Sequence, residues 1–194
     1  VKRPKIDPAL QERLPPGQIL AKRWPVRHEG VIPTFDPQTW RLRVWGDVAR
    51  PIAWSWQEFQ SLPQTTITGD MHCVARWSAL DLVWGGTPIG EVLAQAEVLP
   101  EARFVIFHGE GGYAANLPLA ALSPDVLLAA SLGGAPLPPE RGGPLRLIAP
   151  NRYAWKSVKW LRGIEFARAD APGFWERYGY SATADPWREE RFAS

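Results

Sequence analysis

Proline and glycine punctuate this chain so densely that long helices have little room: 20 prolines and 17 glycines fall among 194 residues. That usage is well above average and selects loops and short strands over a helical bundle. Hydrophobic residues make up 45% and aromatics 11%, enough for a globular fold. A chain of this length suits one domain that buries roughly two-thirds of its unfolded surface. Eleven tryptophans imply either packing around something large or a core rich in indole rings.

Local patterns agree with mixed structure. "TWRLRVWG" (39–46) alternates apolar and basic residues, the mark of a half-buried strand. "SWQEFQSL" reads as a short helix capped by Ser55. "TTITGDMHC" reads as a strand running into a glycine turn. In "TPIGEVLAQA" (87–96), Thr87 is placed as N-cap and Pro88 as the first helical residue. "ARFVIFHG", "PLRLIAP" and "SVKWLRGIEFA" read as further strands. Strands with scattered short helices and no βαβ rhythm define an α+β class. Residues 1–23, rich in proline and charge, read as an extended arm before one domain over 24–194.

Charge excludes little but points away from nucleic acid: 22 basic against 20 acidic residues leave +2. "RYAWKSVKWLR" interleaves aromatics with bases, yet no wider basic surface supports RNA binding. One cysteine excludes an internal disulfide framework. No apolar run approaches the ~18 residues that span a bilayer, and the opening residues lack a secretory core. The expectation is a soluble, cytoplasmic protein.

The lone Cys73 lies in "GDMHCVARWS" (69–78). It can be an inert small hydrophobe, or a nucleophile that needs a histidine base. His72 is next to it, but neighbours on a strand point to opposite faces, so His28 or His108 would have to serve through the fold. A zinc site would need ligand-spaced partners that the chain lacks. A further possibility is a soft thiolate on a metal whose other ligands belong to an organic cofactor.

Three separated blocks bear on that choice: "GDMHCVARWSALDLVWGGTPIGEVL" (69–93), "FHGEGGYAANLPLAAL" (107–122) and "RGGPLRLIAPNRYAWKSVKWLRGIEF" (141–166). Together they resemble the molybdopterin-binding domain of the sulfite oxidase superfamily. The closing "GFWERYGYSATADPWREERF" resembles its compact bacterial branch, so the likeness runs from about Trp24 to Phe192. The resemblance implies a sulfite-oxidase-type fold, a molybdenum and molybdopterin cofactor, and Cys73 as thiolate ligand to the metal. It also implies phosphate contacts from Arg146, Ser157 and Lys159, with Val158 in the same cofactor-binding stretch. An arginine fork and a lysine point charge suit that anion. His28 and His108 fall near pterin-contacting positions. Arg141 stands where many relatives carry histidine or asparagine, and Gly142 and Gly143 offer a close backbone approach. The small domain favours the mononucleotide-free pyranopterin.

The same resemblance aligns Tyr113 and Arg27 with a substrate pocket for oxyanions. Ser78 replaces an arginine of sulfite oxidases, with Arg76 as the nearby base. The likeness includes no haem domain, which implies a separate electron-carrier protein as partner. The expected activity is oxygen-atom transfer to or from a small oxyanion or sulfoxide. A non-redox thiol hydrolase using Cys73, or a cofactor carrier without turnover, are the other readings.

Overall fold

The computed structural model describes residues 7–193. Eleven strands appear among them: β1 (Ile19–Leu20), β2 (Arg41–Gly46), β3 (Ile52–Ser55), β4 (Thr65–Cys73), β5 (Trp77–Pro88), β6 (Phe104–Gly109), β7 (Ala114–Pro118), β8 (Leu127–Leu132), β9 (Ala135–Pro136), β10 (Arg146–Ile148) and β11 (Leu161–Ala167). The three α-helices are short: α1 (Pro8–Glu12), α2 (Trp56–Gln60) and α3 (Ile89–Ala96). Mixed sheets with few short helices in one domain match the expected α+β class.

One sheet runs β1-β5-β8-β10, with β4 along β5 and β9 beside β8; the other runs β3-β2-β11-β6-β7. The main core lies between them. Leu42, Val44, Phe107, Ile164 and Phe166 of the second sheet meet Leu128 and Leu147 of the first, together with Ile89 and Val92 of α3. Strand alternation then turns Leu127 and Ala129 to the opposite face of the first sheet, where they pack with Met71, Trp84 and Ile148.

Several expectations shift by a few residues, each for a visible reason. α2 carries the capping box of Ser55 and Glu58. Thr87 does not cap α3. It stays in β5 opposite Leu128, and its hydroxyl accepts from Gln64 Nε2 at 2.8 Å, so the helix starts one residue after Pro88. β4 passes through Gly69 instead of turning there, absorbing the glycine in a register shift between Gly69 and Met71. β11 begins only at Leu161 because Trp160 has φ 52°. The arm is not simply extended: residues 8–12 are helical, and Ile19 and Leu20 pair in parallel with Trp77 and Ser78. Arg13 ties it down, with Nη2 2.6 Å from Asp70 and 2.8 Å from Asp81. Residues 1–6 of the expected arm lie outside the described residues.

Candidate active site

β4 and β5 are joined by a three-residue loop, Val74 to Arg76. The Cys73 carbonyl accepts from the Arg76 amide at 2.9 Å, and Arg76 closes the loop in the left-handed region at φ 68°. That is the geometry of a type I turn followed by a left-handed residue. Its usual glycine is absent, so the turn carries no local signature in the amino-acid pattern. The loop delivers Cys73 to a cavity of about 480 Å³.

Five separated parts of the chain line this cavity. Residues 24–29 supply Arg27 and His28, the β4–β5 loop supplies Cys73, and Tyr113 follows β6. Arg141, Arg146, Ser157 and Lys159 form another wall, while Trp155, Trp175 and Tyr180 close a third side. Eight of the ten residues expected at the cofactor and substrate line this cavity, the thiol among them; His108 and Val158 do not.

Strand alternation explains the first exception, and the core's claim on the residue between two cavity-facing neighbours explains the second. In β6, Phe107 enters the core, so His108 points the other way, stacked on Trp45 at 5.1 Å and 2.9 Å from Glu165. Val158 is fully buried in the core, while Ser157 and Lys159 on either side face the cavity. Gly142 also differs from expectation. A Cβ there would come within 2.9 Å of Lys159 Cγ and 3.1 Å of Arg146 Cβ, so its missing side chain makes room for those two cations. With φ 109°, the position suits glycine on backbone grounds as well.

Electrostatics in the basic wall are unbalanced. Arg146 is 2% exposed; its Nη1 donates to the Arg141 carbonyl at 2.7 Å and its Nη2 to Ser157 at 3.0 Å. Its Nε is buried without a hydrogen-bond partner. Lys159 Nζ donates to the carbonyls of Arg27 and Glu140, both at 2.7 Å. Arg141 donates to Trp24 and Pro25 carbonyls and lies over the Trp24 ring at 3.9 Å. Among the described residues none of the three pairs with a carboxylate within 4 Å. Burial, with Arg141 close by, pushes the Arg146 guanidinium down to about 9. Burial, Arg146 and Arg141 push the Lys159 ammonium down to about 7. Buried cations held together without a counter-charge are costly unless an anion completes them. The Ser157 hydroxyl accepts the Ala149 amide at 3.0 Å and still has a proton to give. This donor set fits the phosphate of a pyranopterin, and no cluster of three metal-binding side chains competes with it among the described residues.

The thiol end has a different character. Burial raises the Cys73 thiol above its ordinary range, opposed by the Ala75 backbone amide and by the Arg27 and Arg191 guanidiniums. Tyr113 donates its hydroxyl proton to the Trp155 carbonyl at 2.6 Å, and burial followed by Glu176 pushes its phenol upward. Its proton is therefore committed to the protein, and the oxygen is what it offers the cavity. Ser78 is fully buried and bonded to His72 Nδ1 at 2.8 Å, so it offers nothing to a substrate. Arg76 faces Glu189 at 4.0 Å and does not stand in for the family's arginine. Trp175, Tyr180, Gln18 and Arg191 were not singled out from sequence. Only the aromatic density of the closing segment hinted at the first two.

A fold of two mixed sheets with a thiol and an uncompensated basic wall on one cavity describes a domain built to hold an anionic ligand beside a thiol. The family model of the oxidoreductase molybdopterin binding domain matches residues 28–175, and the chain belongs to that family. It is 44% identical over 182 residues to an uncharacterized oxidoreductase, YuiH, of Bacillus subtilis (strain 168), covering 93% of this chain and 92% of that one. It is 31% identical over 204 residues to sulfite oxidase of Gallus gallus, covering 86% of this chain and 44% of that protein. The crystal structure of the sulfane dehydrogenase SoxCD from Paracoccus pantotrophus superposes with a TM-score of 0.68 at 25% identity, over 74% of this chain and 42% of that one. The chain thus spans less than half of these last two relatives. The protein is a molybdopterin-dependent oxidoreductase of the sulfite oxidase superfamily, with molybdenum and molybdopterin as its cofactor. No described helix is long and apolar enough to cross a membrane.

The Lys159 ammonium predicts a pH effect with a definite sign. Its folded value near 7 lies below the ordinary lysine value of about 10.4. Between the two, the unfolded chain binds more protons, so stability rises with pH. Cofactor-free protein should therefore gain melting temperature from pH 7 towards 10, by a contribution that Lys159→Met abolishes. A phosphate in the site would favour the charged form, so the same variant should also lose cofactor occupancy, as should Arg146→Ala. Calorimetry across pH and molybdenum analysis of the purified variants test both halves.

Proposed function

We propose that the protein moves an oxygen atom to or from a small oxyanion or sulfoxide, with Cys73 as the thiolate that ties molybdenum to the chain. The observation that carries this reading is that the single thiol and the uncompensated cations Arg146 and Lys159 line one cavity. When bound, the cofactor supplies a two-electron redox centre that can take up or release an oxygen atom. The chain's own residues anchor and orient. Arg146, Lys159 and Ser157 hold the phosphate, and Arg141 and His28 flank the pterin. Gly142 gives those cations their close packing. One mononucleotide-free pyranopterin suits a cavity of this size. Arg27, exposed and near the thiol, is the guanidinium available to an anionic substrate. Two electrons must enter or leave in each turnover, and we assign them to a separate electron-carrier protein.

The geometry gives the hydrolase reading no support. His28 Nδ1 lies 3.0 Å from the Gly30 carbonyl, His72 bonds Ser78, and His108 bonds Glu165. Each of the three histidines thus commits one ring nitrogen to another partner, and none is hydrogen-bonded to the thiol. Purified protein should contain about one molybdenum per chain, whereas a hydrolase would contain none. Arg27→Ala should raise KM for anionic substrates and change neutral sulfoxides less, measured with artificial donors and acceptors. Equal losses on both classes would remove Arg27 from the anion site.

A further inference from the structure

We propose that the two segments flanking the family-matched stretch form a clasp that orients Cys73, with Gln18 and Arg191 as its positioning residues. The proposal rests on the reading of Cys73 as the working thiol. Gln18 lies before and Arg191 after the stretch that the family model matches. Each nevertheless reaches the loop that presents the thiol. Gln18 Nε2 donates to the Cys73 carbonyl at 3.0 Å. Arg191 Nη1 donates to the Val74 carbonyl. Both side chains are buried, each 7% exposed, so neither contact is an incidental touch at the surface.

Each grip is itself braced. Gln18 Oε1 lies 3.4 Å from Ser78 Oγ, which in turn bonds His72 Nδ1 at 2.8 Å. The Arg191 guanidinium lies 5.0 Å from the Tyr153 ring and 3.6 Å from Glu189. Its backbone is fixed by a bond from its amide to the Glu189 carbonyl at 2.7 Å and from the Ser181 amide to its own carbonyl at 3.2 Å. The two segments also meet over the loop, where a Cβ on Gly17 would fall 2.6 Å from Arg76 Nη1 and 3.1 Å from Glu189.

The effect on the thiol follows from peptide geometry. The Val74 carbonyl and the Ala75 N–H belong to one planar trans unit and point in opposite directions. Drawing the carbonyl towards Arg191 therefore turns the N–H the other way, and that amide is the backbone donor that holds the Cys73 thiol down against burial. Gln18 fixes the preceding peptide plane through its carbonyl. With both planes held, the rotation of the chain about the Val74 Cα is fixed, and so is that donor. Short loops lacking a glycine at the left-handed position are otherwise strained, and the clasp supplies the restraint from outside the hairpin.

The test uses cofactor-free, full-length protein, so it does not depend on metal being bound. Amide hydrogen exchange at Ala75 should quicken roughly ten-fold in Arg191→Met, the size of one lost hydrogen bond, while slow amides of β5 and β11 keep their rates. Arg191→Lys should restore part of the protection. Gln18→Leu, which leaves the cation in place, should quicken Ala75 several-fold, and it decides the matter if Arg191→Met does not fold. In the loaded enzyme, the sulfur-to-metal absorption band should shift in both variants without vanishing. Unchanged Ala75 exchange would overturn the clasp, and so would a uniform acceleration of all slow amides, which marks plain destabilisation. A Cys73→Ser variant that kept its metal band would instead overturn the ligand reading, leaving the exchange result to stand separately.

Discussion

Cys73→Ser is expected to erase the sulfur-to-metal absorption band and reduce turnover more than about 100-fold, a loss that even outer contacts of a metal site can reach. Serine is nearly isosteric with cysteine, and the Gln18 bond to the backbone carbonyl of this residue does not depend on its side chain, so the loop keeps its shape. The hydroxyl, however, does not ionise near neutral pH and is a harder donor than a thiolate. On the proposed reading Arg146, Ser157 and Lys159 still hold the phosphate, so the variant should retain part of its molybdenum. Absorption spectra, metal analysis and steady-state rates on one preparation separate these effects. Full activity in this variant would show that the residue is not the ligand.

The second large effect is on stability. Lys156 is fully buried, with its Nζ 2.5 Å from Glu176 Oε1, whose side chain is 4% exposed. The ammonium also donates to the Asn116 carbonyl at 2.6 Å, and Trp155 Nε1 donates to the same Glu176 oxygen at 3.0 Å. Burial pulls the lysine below its ordinary value, with Glu176 opposing. Glu176→Gln would leave that ammonium without its counter-charge, a loss of about 3–5 kcal/mol. For a domain of this size that corresponds to a fall in Tm of roughly 6–20 °C. The double variant Lys156→Met, Glu176→Leu should recover most of it, because two apolar groups of similar volume replace the pair. Equal losses in the single and double variants would mean that packing, and not charge, holds this corner.

What could be read from the sequence follows physical range. The α2 cap was legible because Ser55 and Glu58 are three residues apart and satisfy each other. Cys73, Arg146, Ser157 and Lys159 were legible as a set because three sequence blocks carry the family pattern, and the fold brings those side chains to one cavity. His108 and Val158 were not separable from them, since facing is decided by which strand neighbour the core takes. Phe107 and the flanks of Val158 make that choice only once the sheets pack. Thr87 carries a good capping side chain, but pairing with Leu128 holds it in the strand. Gln18 and Arg191 carry no local signal at all. Their meaning depends on both flanking segments returning to a loop far from either in sequence.

The pairing of β2 with β11 sets an order of events for a chain made from one end. Arg43 lies beside Gly163 and Val44 beside Ile164, so the second sheet lacks its middle strand until the ribosome has released residue 167. Trp175 and Tyr180 reach the cavity later still. A nascent chain therefore holds Cys73 long before it has the basic wall, the aromatic wall or the Arg191 grip. Pairings this distant are slow to close, and a growing chain displays unpaired strand edges while it waits. The cavity that would take the cofactor is therefore complete only once the closing segment, with Trp175 and Tyr180, has folded back over the thiol.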